Sequence, residues 1–440
     1  MTRDLTASSD RAVSTTPTRT TVARDHTDQR SALLLHDVRL ARTGSAEPWV
    51  PSAAEHLAEH TARIGQRPAG TASLIDALDE AGLTGHGGAH VPTAAKWRSA
   101  LAGGGPLTVA ANGAESEPLS AKDATLLRQR PHLVLDGLAL TAEALGARRA
   151  VLWLHGDDTG TLYAMQAALT ERRAARYPEP WLEIVSGPGH YLAGESSAIG
   201  RALNGGPALP RIRRVADADG GPRNLVHNVE TLARVALIAR GMPPVRSTLL
   251  TVLTPVDRQV IEVDRVTPTT EVLGQTGWLH RGSPQAVLLG GYSGMWAPWL
   301  GVEHLTFDET TLRSVGLSAG SGIIAPLPHG ACGVAETAAI VGYLASMSAR
   351  QCGPCLFGLP ALAQSLRLLA HGNAPRGEQS RLLDDLQAVA GRGACHHPDG
   401  ATRLIASALA VFEHDFREHG HGRACAGSRR PTMPVPAVTA

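Results

Sequence analysis

Short apolar runs alternate with amphipathic stretches through the first half of the chain. Residues 107–111 (LTVAA), 150–154 (AVLWL) and 181–185 (WLEIV) have the length of strands. Around them, residues 73–80, 133–145 and 161–175 carry apolar positions at helical spacing. Pro131 suits a first helical turn and Gly146 a helix stop. A further helix begins at His227-Asn228-Val229-Glu230-Thr231. Strand–helix alternation of this length predicts a parallel sheet with right-handed crossovers. The pattern then changes. Residues 249–263 alternate as a hairpin with Pro255 near the turn, and 286–291 and 320–325 read as further strands. From Val334 the period is helical over 334–347, 358–370, 378–389 and 402–412, which implies a bundle. The predicted class is α/β: a Rossmann-like parallel-sheet domain over 31–240, a small β domain over 245–325 and a four-helix bundle over 330–425. A leader over 1–30 and a tail over 426–440 have little to bury and are expected to be loose.

Composition leaves that picture standing, and charge removes partners from it. The 440 residues, at roughly 150 per domain, suit about two to four domains. A formal net charge of +1 gives no electrostatic reason to expect nucleic acid or an anionic membrane. No apolar run reaches the roughly 18 to 20 residues of a membrane span, and the polar start lacks the core of a signal peptide. The chain is expected to be cytoplasmic or peripheral on a membrane complex.

Three of the five cysteines form one motif, Cys352-Gly353-Pro354-Cys355 followed by Cys395. Cys-x-x-Cys lets two thiolates face one ion. In a long chain without a secretion signal, a metal or iron–sulfur site is expected ahead of a redox dithiol or buried thiols. The pair falls between the first and second predicted bundle helices, and Cys395 between the third and fourth. Adjacent loops at one bundle end would bring the three together. His396, His397, Cys332 and Cys425 are further donors.

Three loops supply other chemistry. Gly85-His86-Gly87-Gly88 lets backbone N–H groups approach an anion, and Lys96 adds a positive charge. The polar loop 112–118 follows a strand, where open α/β sheets bind ligands. Its Glu115 and Glu117 read equally well as solvated loop residues. Residues 187–197 hold Gly187, Gly189, Tyr191, Gly194 and Glu195 between a strand and a helix. Asn228 reads as a helix N-cap or as a ligand contact.

Taken together and in order, these motifs resemble the family of NADH-binding 51 kDa flavoprotein subunits found in respiratory NADH:quinone oxidoreductase and in NAD-linked hydrogenases and formate dehydrogenases. Residues 85–93 with Lys96-Trp97 match the family's Gly-rich loop. Asn112, Glu115, Glu117, Pro118, Lys122 and Asp123 match its acidic loop, and Asn228 to Thr231 its Asn-Val-Glu-Thr. Gln351, Cys352, Cys355 and Cys395 match its cluster motif. The resemblance implies FMN held by Gly85, Gly87, Gly88, Lys96, Asn112, Glu115, Ser116, Tyr191, Gly194, Glu195, Asn228 and Thr231. Glu195 would also orient flavin or nicotinamide, the one catalytic assignment. The resemblance further implies an iron–sulfur cluster on Cys352, Cys355 and Cys395 and a β-grasp, ubiquitin-like module over 245–325. It implies an electron-transfer protein working between NADH or another donor and a redox protein, ferredoxin-like or a membrane reductase.

The resemblance is that of a divergent member. Ala349 stands where the family's cluster motif begins with Cys, so the expectation is a [4Fe–4S] with a fourth ligand from outside the family pattern or a [3Fe–4S], with another metal such as zinc, or no cluster, as the alternatives. Val91, Ser99 and the basic stretch 211–214 replace aromatic residues that flank adenine in the family. NAD binding, and with it enzymatic oxidation of NADH, stays open. Two other readings remain: a non-catalytic scaffold of a redox complex, and a binding module stabilised by zinc on the three cysteines and a histidine.

Overall fold

The computed structural model describes residues 34–35, 54–211, 223–243 and 246–437. The leader and most of the basic stretch, residues 212–214, lie outside the described residues. Helices α1 (Leu57–Ile64), α2 (Leu74–Glu80) and α3 (Thr93–Ala102) precede a parallel βα domain. It runs β1 (Leu107–Asn112), α4 (Lys122–Gln129), α5 (Pro131–Ala144), β2 (Arg149–His155), α6 (Thr159–Ala174), β3 (Leu182–Gly187), α7 (Ser196–Leu203), β4 (Arg223–Asn228) and α8 (Val229–Ile238). The four strands are all parallel in the order β3-β2-β1-β4. Both faces of β1 and β2 are covered, which is why they read as unbroken apolar runs. α5 and α8 touch so closely that a Cβ on Gly137 would sit 1.9 Å from the Leu232 carbonyl oxygen. Strand β4 (RNLVHN) is absent from the sequence expectation, because its ends are polar and its pattern is short.

The second domain holds β5 (Ser247–Leu253), β6 (Arg258–Asp264), α9 (Thr269–Gln275), β7 (Ala286–Leu289), β8 (Met295–Pro298) and β9 (Ile323–Leu327). Its sheet runs β6-β5-β9-β7-β8, with two antiparallel hairpins and β9 inserted between them, parallel to β5. This is β-grasp connectivity. The third domain packs α10 (Gly333–Ser346), α11 (Leu359–Ala370), α12 (Glu378–Val389), α13 (His397–Val411) and α14 (Glu413–Gly420) around one apolar core. α13 begins earlier than the sequence pattern suggests, with Pro398 in its first turn. No described helix is long and apolar enough to cross a membrane.

The expectation of a loose tail is corrected over the described residues 426–437. Glu336 on α10 accepts hydrogen bonds from the Thr432 hydroxyl (2.8 Å) and the Met433 N–H (3.0 Å). The Tyr292 hydroxyl donates to the Pro434 carbonyl at 2.6 Å, and Met433 is buried in the bundle core. Composition hides this because the anchoring groups are mostly backbone.

Candidate functional site

The loops after β1, β3 and β4 meet at the carboxyl edge of the parallel sheet. Asn112 closes β1, donates to the Gly194 carbonyl at 2.8 Å and accepts from the Ala114 N–H at 3.2 Å. Gly194 is there by necessity: a Cβ would lie 2.5 Å from the Ser116 hydroxyl and 2.7 Å from the Ala114 carbonyl oxygen. Ser116 in turn pairs with His155 at the end of β2, 3.0 Å away. Asn112, Ser116 and Gly194 therefore form one floor. The Gly-rich loop packs on the start of α8. The His86 N–H donates to Thr231 Oγ1 at 2.9 Å, Gly88 has φ of +92°, and Gly87 faces the Asn228 side chain. Gly85 closes the loop by donating to the Val91 carbonyl at 2.9 Å.

Three predicted residues do protein work with their side chains. Glu115 accepts from the Asp123 and Ala124 N–H groups, both at 3.1 Å, and so caps α4. Asn228 caps α8 through the Glu230 N–H (2.9 Å) and donates to Asp123 at 2.6 Å. Glu195 caps α7, accepting from the Ser197 and Ala198 N–H groups at 2.9 and 3.0 Å. Lys96 differs from these. It reaches the Val226 carbonyl, burial pushes its ammonium below the ordinary lysine value, and no carboxylate contributes to offset that.

The site contains charged groups that residue-by-residue reading leaves at the surface. Lys122 is buried and bridges Asp123 (2.7 Å) and Glu230 (3.1 Å). Burial alone would lower its pKa, but the two carboxylates outweigh it and hold it above the usual range. Burial likewise opposes ionisation of Glu230, yet His86, Lys122 and Arg234 keep its carboxyl well below the usual range. Glu117 is the reverse case. Its Oε2 accepts from the Tyr191 hydroxyl (3.1 Å) and the Tyr292 N–H (3.0 Å), and burial still pushes its carboxyl up to about 8. Tyr191 also pairs with Ser293 at 2.9 Å, so Glu117 sits where the first domain, the β-grasp sheet and the bundle meet. Only its place in the acidic motif hints at this.

The cysteine motif lies next to that junction. Cys352 starts a wide π-type turn over Pro354–Gly358, and its carbonyl accepts from the Cys355 and Leu356 N–H groups at 3.1 and 3.0 Å. Burial, then the neighbouring Cys352 and Cys395, push the Cys355 thiol up to about 12. The preceding Gln351 accepts from Arg201 on α7 at 3.1 Å and donates to the Pro210 carbonyl at 3.0 Å. Tyr191 stacks edge-on with Tyr343 at 5.9 Å and lies 5.6 Å from His397. Cys332 and Cys425 do not belong to this triad. Cys332 precedes the 14-residue α10 and Cys352 follows it, a separation of about 21 Å at the usual helical rise.

The residues present fit the two groups that the sequence implies. A half-buried ammonium with no carboxylate to offset its burial, on the helix that follows the Gly-rich loop, suits the phosphate of a flavin mononucleotide. Cys355 with Cys352 and Cys395 near it suits an iron–sulfur cluster, and two buried atoms without hydrogen bonds, Ser348 Oγ and His397 Nδ1, flank them in sequence.

Comparison with known proteins agrees with this geometry. The family described as the Nuo51 FMN-binding domain matches residues 78–237. The family described as the NADH-ubiquinone oxidoreductase-F iron–sulfur binding region matches residues 335–419. The second F-type chain of the NADH-quinone oxidoreductases of Rhizobium meliloti (strain 1021) is 28% identical over 382 residues, covering 80% of this chain and 90% of the relative. The F chain of the Streptomyces coelicolor NADH-quinone oxidoreductase is 28% identical over 378 residues, covering 80% and 84%. Among solved structures, the NAD+-reducing [NiFe]-hydrogenase in its H2-reduced state aligns with a TM-score of 0.72 at 26% identity, over 86% of this chain and 69% of the other.

Proposed function

Since the chain belongs, as a divergent member, to the family of 51 kDa flavoprotein subunits of NADH-quinone oxidoreductases and NAD-linked hydrogenases, we propose that it is an electron-transfer component holding FMN and an iron–sulfur cluster. It works between NADH or another donor and a redox protein partner, ferredoxin-like or a membrane reductase. Gly85, Gly87, Gly88, Lys96, Asn112, Ser116, Tyr191, Gly194 and Thr231 would line the flavin. Glu115, Glu195 and Asn228 would position those loops by capping α4, α7 and α8. Cys352, Cys355 and Cys395 would hold the cluster.

When bound, the flavin supplies the exchange between two-electron and one-electron chemistry, and the cluster supplies one-electron transfer. The chain's own residues bind, orient and exclude water. Lys96 offers its charge to a phosphate. Glu117 keeps a proton at neutral pH, so the domain junction carries no buried anion there. Tyr343 and His397 pack against the Tyr191 ring and help to exclude water there.

One observation carries the reading. Glu195 caps one end of the eight-residue helix α7, and Arg201 near its other end holds the loop that leads into Cys352. The two sites are thus coupled through a single rigid element. Val91, half exposed on the Gly-rich loop, offers an aliphatic face, which supports weak NADH binding or a different donor.

The test is chemical analysis of protein made anaerobically with ample iron and riboflavin. Stoichiometric FMN, iron and acid-labile sulfide are expected. Colourless protein that stays colourless after reconstitution overturns the proposal. Bleaching by dithionite but not by NADH would assign the donor elsewhere.

A further inference from the structure

A second cluster of soft donors lies at the far end of α10. Cys332 Sγ, His419 Nε2 and Cys425 Sγ are all within 4.8 Å of one another. Cys332 and His419 are buried and Cys425 is half-buried. They come from three places: the start of α10, the last turn of α14 and the segment after it. We propose that this triad is a structural zinc site, separate from the Cys352–Cys355–Cys395 site, taking one Zn2+ with its fourth position filled by water on the Cys425 side.

The donor spacing is compatible with one tetrahedral ion. Zinc bonds of about 2.3 Å to sulfur and about 2.0 Å to nitrogen place donors about 3.5–3.8 Å apart. Cys332 Sγ lies 3.8 Å from His419 Nε2. His419 Nδ1 lies 3.1 Å from the Leu369 carbonyl. That contact puts the ring proton on Nδ1 and turns the Nε2 lone pair into the cluster, the arrangement a backbone carbonyl gives a metal-bound imidazole. The Cys425 N–H occupies that lone pair at 3.1 Å, and a metal ion would displace it. Cys332 Sγ accepts the Ala335 N–H at 3.4 Å, which suits a thiolate at a helix N-terminus. Two thiolates neutralise one Zn2+, so a buried site carries no net charge, and loading the two thiols releases two protons. Sulfur–nitrogen donors in this geometry select zinc over the oxygen-seeking divalent ions.

The ion would fasten the C-terminal segment to the bundle. Residues after Cys425 already press on the start of α10: a Cβ on Gly427 would lie 2.3 Å from the Gly330 carbonyl oxygen.

The full chain, purified anaerobically after growth with zinc and iron, tests this. Zinc, iron and FMN are measured per chain in the natural protein, in Cys425→Ser and in Cys352→Ser/Cys395→Ser. One zinc is expected in the natural protein. Cys425→Ser should lose it while keeping iron and FMN, and the double variant should keep it while losing iron. In the natural protein, mass-mapped alkylation should find Cys332 and Cys425 protected until a chelator is added. That measurement decides the matter if Cys425→Ser fails to fold. Zinc that disappears with Cys352 and Cys395 overturns the proposal. So does a zinc-free chain with both thiols freely alkylated, and so does a Cys332–Cys425 disulfide.

Discussion

Lys96 and Glu117 are the two ionisable residues whose burial has the clearest consequences. Lys96 has a carbonyl partner, and no carboxylate offsets the effect of its burial. A charge-assisted hydrogen bond to a phosphate contributes about 1.5–3 kcal/mol, so Lys96→Ala should weaken FMN binding about 10- to 150-fold, read by titrating apoprotein with FMN. An unchanged affinity would remove Lys96 from the flavin site. Glu117 has a folded pKa of about 8 against an ordinary value of 4.5. Between those values the unfolded chain releases this proton and the folded chain keeps it, so its contribution makes stability fall as pH rises through that window. Glu117→Gln keeps a neutral acceptor for Tyr191 and Tyr292. Urea midpoints measured from pH 5 to 9 should therefore decline less in the variant than in the natural protein. Parallel declines would contradict the assignment. At this scale the sequence reveals residue types well and their duties poorly. Asn228 is a helix cap, one of the two roles its position suggests. Glu115 also spends its carboxylate on a helix end, and nothing in its neighbours' polarity indicates which end.

Among the elements, legibility follows burial on two faces. Strands β1 and β2 stand out because covered faces demand unbroken apolar runs. Strand β4 at the sheet edge, and α4, with its buried Lys122 and Asp123, have no counterpart in the sequence expectation, because polar and charged positions break the apolar pattern. α14 escapes the sequence pattern because its composition is polar and its buried side chains are Phe416 and His419. The contact between α5 and α8 gives an element-level prediction. Gly137→Ala forces a methyl into the Leu232 carbonyl, and overpacking of this kind costs about 1–3 kcal/mol. Thermal or chemical unfolding should show the loss, and a neutral result would mean that the two helices slide apart freely.

For the whole molecule, three domains share one junction around Glu117, Tyr191, Ser293 and Tyr343. The sequence foretells the α/β class with its parallel sheet, because buried strands and helices carry distinct apolar periods. It cannot foretell the Cys332–His419–Cys425 group, since only tertiary packing brings those residues together. Cys355→Ser should abolish iron retention and leave FMN content near that of the natural protein, because the flavin loops belong to another domain. Iron and flavin assays on the same sample check this, and joint loss would show that the two sites fold as one unit.

The C-terminal strap also bears on how the protein is made. Thr432, Met433 and Pro434 reach back to Glu336 and Tyr292, residues that leave the ribosome long before them. While synthesis continues, Glu336 is without these partners and the bundle lacks its last fastening. Closure of the bundle therefore waits until residues 432–434 have been made, well after α10 itself.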